Sequence, residues 1–176
     1  MLLWTGLPVS AAENTFVHTG SPSQDILAAA ESQLGYTAPA DGAKYNHWYG
    51  AVNGSYTYSW CQTFLSWCAE QAEIGTDVFP KAVSVASAYA AFAGQKRYQK
   101  SAAQGGSYTP RAGDVAFYSE NGDADALSHV GLVTGTADGT LYTIEGNVSN
   151  QVQRCERQLD SVQIIGYGCP MYAGLA

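Results

Sequence analysis

The sequence predicts an α+β fold, with N-terminal helices packed on a central antiparallel β-sheet built by the second half of the chain. Three observations predict it. Apolar residues recur at helical spacing as far as about residue 92. From about residue 114 the period switches to two. Asp138-Gly139 then stands between two alternating runs as a hairpin signal. Helices followed by an antiparallel meander is the α+β order. A chain of 176 residues with 46% hydrophobic content suits one domain with a real core.

Taken in order, residues 1–23 read as leader and linker, and residues 24–172 as the domain proper. The run Leu2-Leu3-Trp4 onward, ending in Val9-Ser10-Ala11-Ala12, is similar to the last part of a secretory signal, though no positive n-region precedes it. This favours export, with no stretch approaching the ~20 apolar residues of a membrane span. A first helix over 25–34 carries Ile26, Ala29, Ala30 and Leu34 and stops at Gly35. Residues 36–58 have no clean period and read as a long surface loop. A second helix, about 60–73, places Cys61, Phe64, Leu65, Cys68 and Ala72 on one face, and Ser59 with Gln62 forms a capping-box pattern at its start. A third covers 83–92. Strands are predicted at about 114–118, 129–134, 140–146, 151–158 and 162–168.

Composition excludes some partners. The formal charge is −7 and the 8 Lys and Arg residues are scattered, so no basic stripe exists to replace phosphate counterions, and nucleic acid is not a partner. Acidity also gives no long-range attraction to anionic wall polymers. The 4 cysteines, at positions 61, 68, 155 and 169, form no disulfide framework and no CxxC pair. Cys61 and Cys68 lie ~10 Å apart along a helix, too far to bridge. A Cys155–Cys169 pair requires a favourable strand register, and free thiols are the preferred reading.

Cys61 is the candidate nucleophile. In the first turn of a buried helix its thiol feels the positive end of the helix dipole, which favours thiolate. The competing reading is a small core hydrophobe. Two downstream residues weigh against it: His129 at a strand start and Glu145 at a strand end. A hairpin about Asp138-Gly139 places His129 opposite 145–148, and strand alternation puts Glu145 and Asn147 on one face. One of them can take an imidazole N–H while the other ring nitrogen faces the thiol, on the sheet face against which the Cys61 helix packs. His47 is a rival base in the irregular loop, without an evident orienter. Trp48, Tyr49, Tyr58 and Trp60 flank the expected cleft and could stack on glycan or peptide, or equally belong to the core. Asp114 is read as a turn cap, and Asp123 and Asp125 lack calcium-loop spacing.

Trp60-Cys61-x-x-Phe64-x-Ser66-Trp67, Gly113-Asp114-Val115-Ala116-Phe117, His129-Val130-Gly131-Leu132-Val133 and Ile144-Glu145-Gly146-Asn147 together resemble a CHAP domain of the NlpC/P60 superfamily, papain-like cysteine peptidases and amidases that cut bacterial peptidoglycan. The resemblance runs over residues 24–172. It implies a papain-like fold, Cys61 as nucleophile, His129 as base, Glu145 as orienter and Asn147 as a polar support. It also implies an oxyanion hole that includes the Cys61 N–H, for which Tyr58 is a candidate second donor. Many relatives have Gln directly before the cysteine, where Trp60 stands here. Some hold calcium just before the nucleophile, but residues 51–56 carry no carboxylate, so no metal and no cofactor are expected. The implied role is a secreted, cell-wall-associated monomer that cleaves amide bonds of peptidoglycan stem peptides or cross-bridges. The alternatives are a vestigial wall-binding module and a cysteine hydrolase acting on a non-wall amide.

Overall fold

The computed structural model describes residues 16–172, so most of the expected leader lies outside the described residues. Among the described residues four α-helices precede a six-stranded antiparallel sheet: α1 (Pro22–Glu31), α2 (Lys44–Tyr49), α3 (Cys61–Gln71), α4 (Val85–Gly94), β1 (Tyr98–Lys100), β2 (Val115–Tyr118), β3 (His129–Ala137), β4 (Thr140–Val148), β5 (Gln151–Gln158) and β6 (Ile164–Gly168). The sheet order is β1-β6-β2-β3-β4-β5. The chain is thus α+β, as its periodicity predicts.

The differences are local. α1 begins inside the segment read as linker, because Pro22 at its first position needs no hydrogen-bond partner for a missing N–H. The segment before it is tied down where Asp25 accepts the Thr19 N–H at 2.7 Å. α2 lies within the predicted loop; at 6 residues it is too short to show a period. β1 was likewise not foreseen, having 3 residues and no alternation. Asp138 and Gly139 form the expected hairpin turn, both at positive φ (48° and 79°), with Ala137 opposite Thr140. Cys155 on β5 and Cys169 just after β6 are separated by β2, β3 and β4, and all four thiols are free.

α3 is the central helix. It touches α1, α2 and α4 on its outer sides and β3 and β4 beneath. Phe64, Leu65 and Cys68 are fully buried, packed with Ile26, Val130, Leu132 and Ile144 in the main core. Truncating Phe64 or Leu65 to Ala in such a core costs about 2–5 kcal/mol. Helix and sheet approach closely at Gly146, where a Cβ would sit 2.8 Å from the Phe64 ring. A smaller cluster, including Tyr118, Val133, Leu141 and Tyr167, occupies the opposite face of the sheet.

That division corrects one expectation. α3 does not pack on the face that carries Glu145. Ile144 and Gly146 face the helix, while Leu141, Thr143 and Glu145 alternate to the other side. The thiol and the imidazole meet at the end of the sheet, where β3 begins.

Candidate active site

Cys61 opens α3, and the approach to it is held from α2. Asn46 is fully buried. Its Nδ2 donates to the Tyr56 and Tyr58 carbonyls at 2.9 and 2.8 Å, and its Oδ1 accepts from Thr63 Oγ1 at 2.6 Å. This one amide fixes the segment before the thiol to the first turn of the helix that carries it. Asn46 was not singled out from sequence, because its helix is too short to register.

The capping box is not formed. Trp60 takes the N-cap position without a side-chain hydrogen bond, and Gln62 turns inward. Ser59 is spent elsewhere: its Oγ lies 3.7 Å from Cys61 Sγ and accepts from Asn147 Nδ2 at 3.3 Å. Asn147 therefore reaches the thiol's side of the site, not the imidazole. It stands at φ 64°, where the β4–β5 register shifts, and the bulge breaks the alternation that would have kept it beside Glu145.

His129 starts β3, and its Nε2 lies 2.9 Å from Glu145 Oε2. The Cys61 thiol is near enough that it and the ring shift each other's ionisation. Glu145 is fully buried and has every lone pair occupied. Thr143 Oγ1 donates to it at 2.7 Å, and Arg157 on β5 grips both carboxylate oxygens, with Nη2 at 3.1 Å from Oε2 and Nη1 on Oε1. Arg157 lies over the Tyr118 ring, 4.0 Å from its centroid. Sequence reasoning missed it. Arg157 pairs with Leu141 across the β4–β5 ladder and so shares Glu145's face, but that register had to be known first. Gly131 completes the cradle, since a Cβ there would meet Glu145 Cγ at 2.8 Å.

These contacts set the charges. Burial opposes ionisation of Glu145, yet hydrogen bonds from His129 and Arg157 hold it down to about 2. Burial likewise opposes the imidazolium, but hydrogen bonds and charge from Cys61 and Glu145 raise His129 to about 9. For Cys61 burial pushes the thiol up, and it is outweighed by His129, the Ser59 hydroxyl and the Val130 N–H, so the net shift is down. Both shifts favour a thiolate–imidazolium pair at neutral pH. Cys68, in the same helix, has no such partners and burial drives it well above the ordinary range.

A family model for the CHAP domain matches residues 52–147, more than half of the chain. The chain belongs to the CHAP domain family. It is a family of cell-wall amidases and peptidases. Among solved structures, the CHAP domain is similar to one described as the crystal structure of Ly7917, at 14% identity and a TM-score of 0.49, over 84% of this chain and 62% of that one. It is also similar to an NlpC/P60 family protein from Bacillus cereus ATCC 10987, at 14% identity and a TM-score of 0.41, over 83% of this chain and 39% of that one. It thus spans less than two thirds of the length of either. No curated protein matches it.

The remaining predicted residues fall in different places. Tyr58 lines two clefts beside the thiol, but its single hydroxyl proton goes to the Gly50 carbonyl at 2.7 Å, which leaves none for an oxyanion. Trp60 is only 3% exposed; its ring packs on Tyr36 and Tyr45 in the core, its Nε1 donates to Asn150 Oδ1 at 3.3 Å, and it borders the cleft shared with Asn147 and Asn150. Trp48 is half-buried beside Tyr49, with Lys81 over its ring at 4.3 Å. His47 stacks on Tyr56 and faces the Asp41 carbonyl at 3.2 Å. Asp114 caps a turn, as read from sequence, accepting the Arg111 N–H at 2.8 Å.

Proposed function

We propose that this CHAP domain is a cysteine amidohydrolase that cleaves amide bonds in peptidoglycan stem peptides or cross-bridges. The observation that carries the reading is the chain Cys61–His129–Glu145–Arg157, in which the imidazole and hydrogen bonding outweigh burial and favour a preformed thiolate. A thiol serving only as core filler needs no imidazole, and Cys68 shows what such a thiol looks like. Family membership supports the substrate class.

In this reading Cys61 Sγ attacks the scissile carbonyl carbon, and its proton already resides on His129. The carbonyl oxygen gains charge beside the free N–H groups at the start of α3, one of which is that of Cys61. The imidazolium gives its proton to the leaving nitrogen, the C–N bond breaks, and a thioester remains on Cys61. His129 then takes a proton from water, hydroxide displaces the thiolate, and the acid product leaves with the ion pair restored. Glu145, held as an anion by Arg157, keeps the ring in place and stabilises its charge. Secretion and action at the wall belong to the same proposal.

The test is mass spectrometry of fragments released from purified peptidoglycan, with Cys61→Ala as control. Fragments with new amine and carboxylate termini are expected from the wild type alone. Glu145→Gln should retain weak activity, lowered by ~10²–10⁴-fold on the scale of a lost general acid–base partner. Release that survives Cys61→Ala would refute the mechanism, and no release from several wall types would refute the substrate class.

A further inference from the structure

Three clefts meet at Ser59 beside the thiol, and they differ in chemistry. Two are polar, one bordered by Asn147 and Asn150 and the other by His129, Arg157 and Glu120. The third, of about 360 Å³, is walled by Val52, Val83, Val85 and Leu127, with Cys61 at its edge and no carboxylate, ammonium or guanidinium group in its lining. A carboxylate or ammonium entering it would lose water without gaining a partner, whereas an aliphatic group would gain from burial.

Gln62 lines the same cleft and is 1% exposed, yet its Oε1 has no hydrogen-bond partner. The amide's orientation is fixed by its neighbour. Ser66 Oγ gives its one proton to the Ala82 carbonyl at 2.9 Å and accepts the Ala82 N–H at 3.0 Å. What it offers Gln62 is a lone pair, so Nε2 must face it, as it does at 3.4 Å. Turning the amide over would set two acceptors against each other. Oε1 is thus left as a buried acceptor in want of a donor.

We propose that the apolar cleft is a subsite for one aliphatic residue of a peptide, seated next to the reacting carbonyl, with an amide N–H of that residue donated to Gln62 Oε1. The assignment rests on Cys61 being the nucleophile, and it deepens that reading by naming the side-chain class. Acidic and basic residues are excluded from this position, while the polar clefts on the other sides take the hydrophilic parts of the substrate.

The test needs no wall. Cys61 is alkylated with iodoacetamide, N-butyl-iodoacetamide, N-carboxymethyl-iodoacetamide and N-butyl-N-methyl-iodoacetamide. Rates are read at Cys61 by peptide mass mapping, each normalised to that reagent's rate with glutathione. The butyl reagent is expected to outrun the carboxymethyl one by at least about tenfold, the scale of an added methylene or more in an apolar pocket. Leu127→Asp and Val83→Asp, both on half-buried wall positions, should erase that preference, read as the ratio of butyl to carboxymethyl rates within each variant. The N-methyl reagent, lacking the N–H, should lose part of the advantage in wild type and none in Gln62→Met. If Gln62→Met fails to fold, the wild-type comparison of N–H with N-methyl still decides the donor. Equal normalised rates for the butyl and carboxymethyl arms, with fast iodoacetamide reaction, would overturn the subsite alone. Iodoacetamide reactivity no greater than glutathione's would overturn the nucleophile as well.

Discussion

At the scale of single residues, the chemistry depends on who holds whom. Cys61 is buried, which by itself would silence it, and it is the neighbouring imidazole that reverses the sign. The pH dependence follows. The thiol's shift is downward, so alkylation of Cys61 should persist at pH values below the range where a free cysteine reacts, and His129→Ala should move that acid limb upward as burial wins. Turnover needs the imidazolium as well, so it should decline as pH rises past about 9, while alkylation does not. Parallel pH profiles of alkylation and hydrolysis check both limbs. Ser59 and Asn147 make a second residue-scale prediction. Since Asn147 reaches the thiol only through the Ser59 hydroxyl, Ser59→Ala and Asn147→Ala should each raise the pH midpoint of alkylation, and the double variant should go no further than Ser59→Ala. Additive shifts would mean that Asn147 works through another contact.

At the scale of elements, two glycines set the spacing. Gly146 lets α3 lie on β4, and Gly131 leaves room for the Glu145 carboxylate on the other face. Gly146→Ala drives a methyl into the Phe64 ring, so it should lower stability by about 1–3 kcal/mol in chemical denaturation. Gly131→Ala presses on Glu145 instead, and should cost turnover and raise the thiol's alkylation midpoint with a smaller change in stability. The β-bulge in β4 belongs to this scale too. Perfect alternation would have kept Asn147 with Glu145, and the bulge sends it to Ser59.

At the scale of the whole molecule, the balance is a net charge of −7 on a chain acting, as proposed, on a polyanionic wall. Self-repulsion between enzyme and wall is screened by salt over a Debye length of about 8–10 Å near physiological ionic strength. Raising salt from low to physiological levels should therefore speed release from intact walls and leave hydrolysis of a small neutral peptide nearly unchanged, measured side by side. No helix among the described residues is long and apolar enough to cross a membrane. What the amino-acid sequence determined by itself was the α+β order and the Asp138-Gly139 hairpin, and it singled out Cys61, His129, Glu145 and Asn147 as the set the proposal uses, since period, turn chemistry and motif are local properties written along the chain. Tertiary structure alone decided that Glu145 faces away from α3, that Arg157 and Asn46 brace the site, that Trp60 belongs to the core, and that Asn147 reaches Ser59. Those outcomes depend on register, a bulge and the packing of a 6-residue helix, where contacts between segments distant in sequence outweigh any local preference.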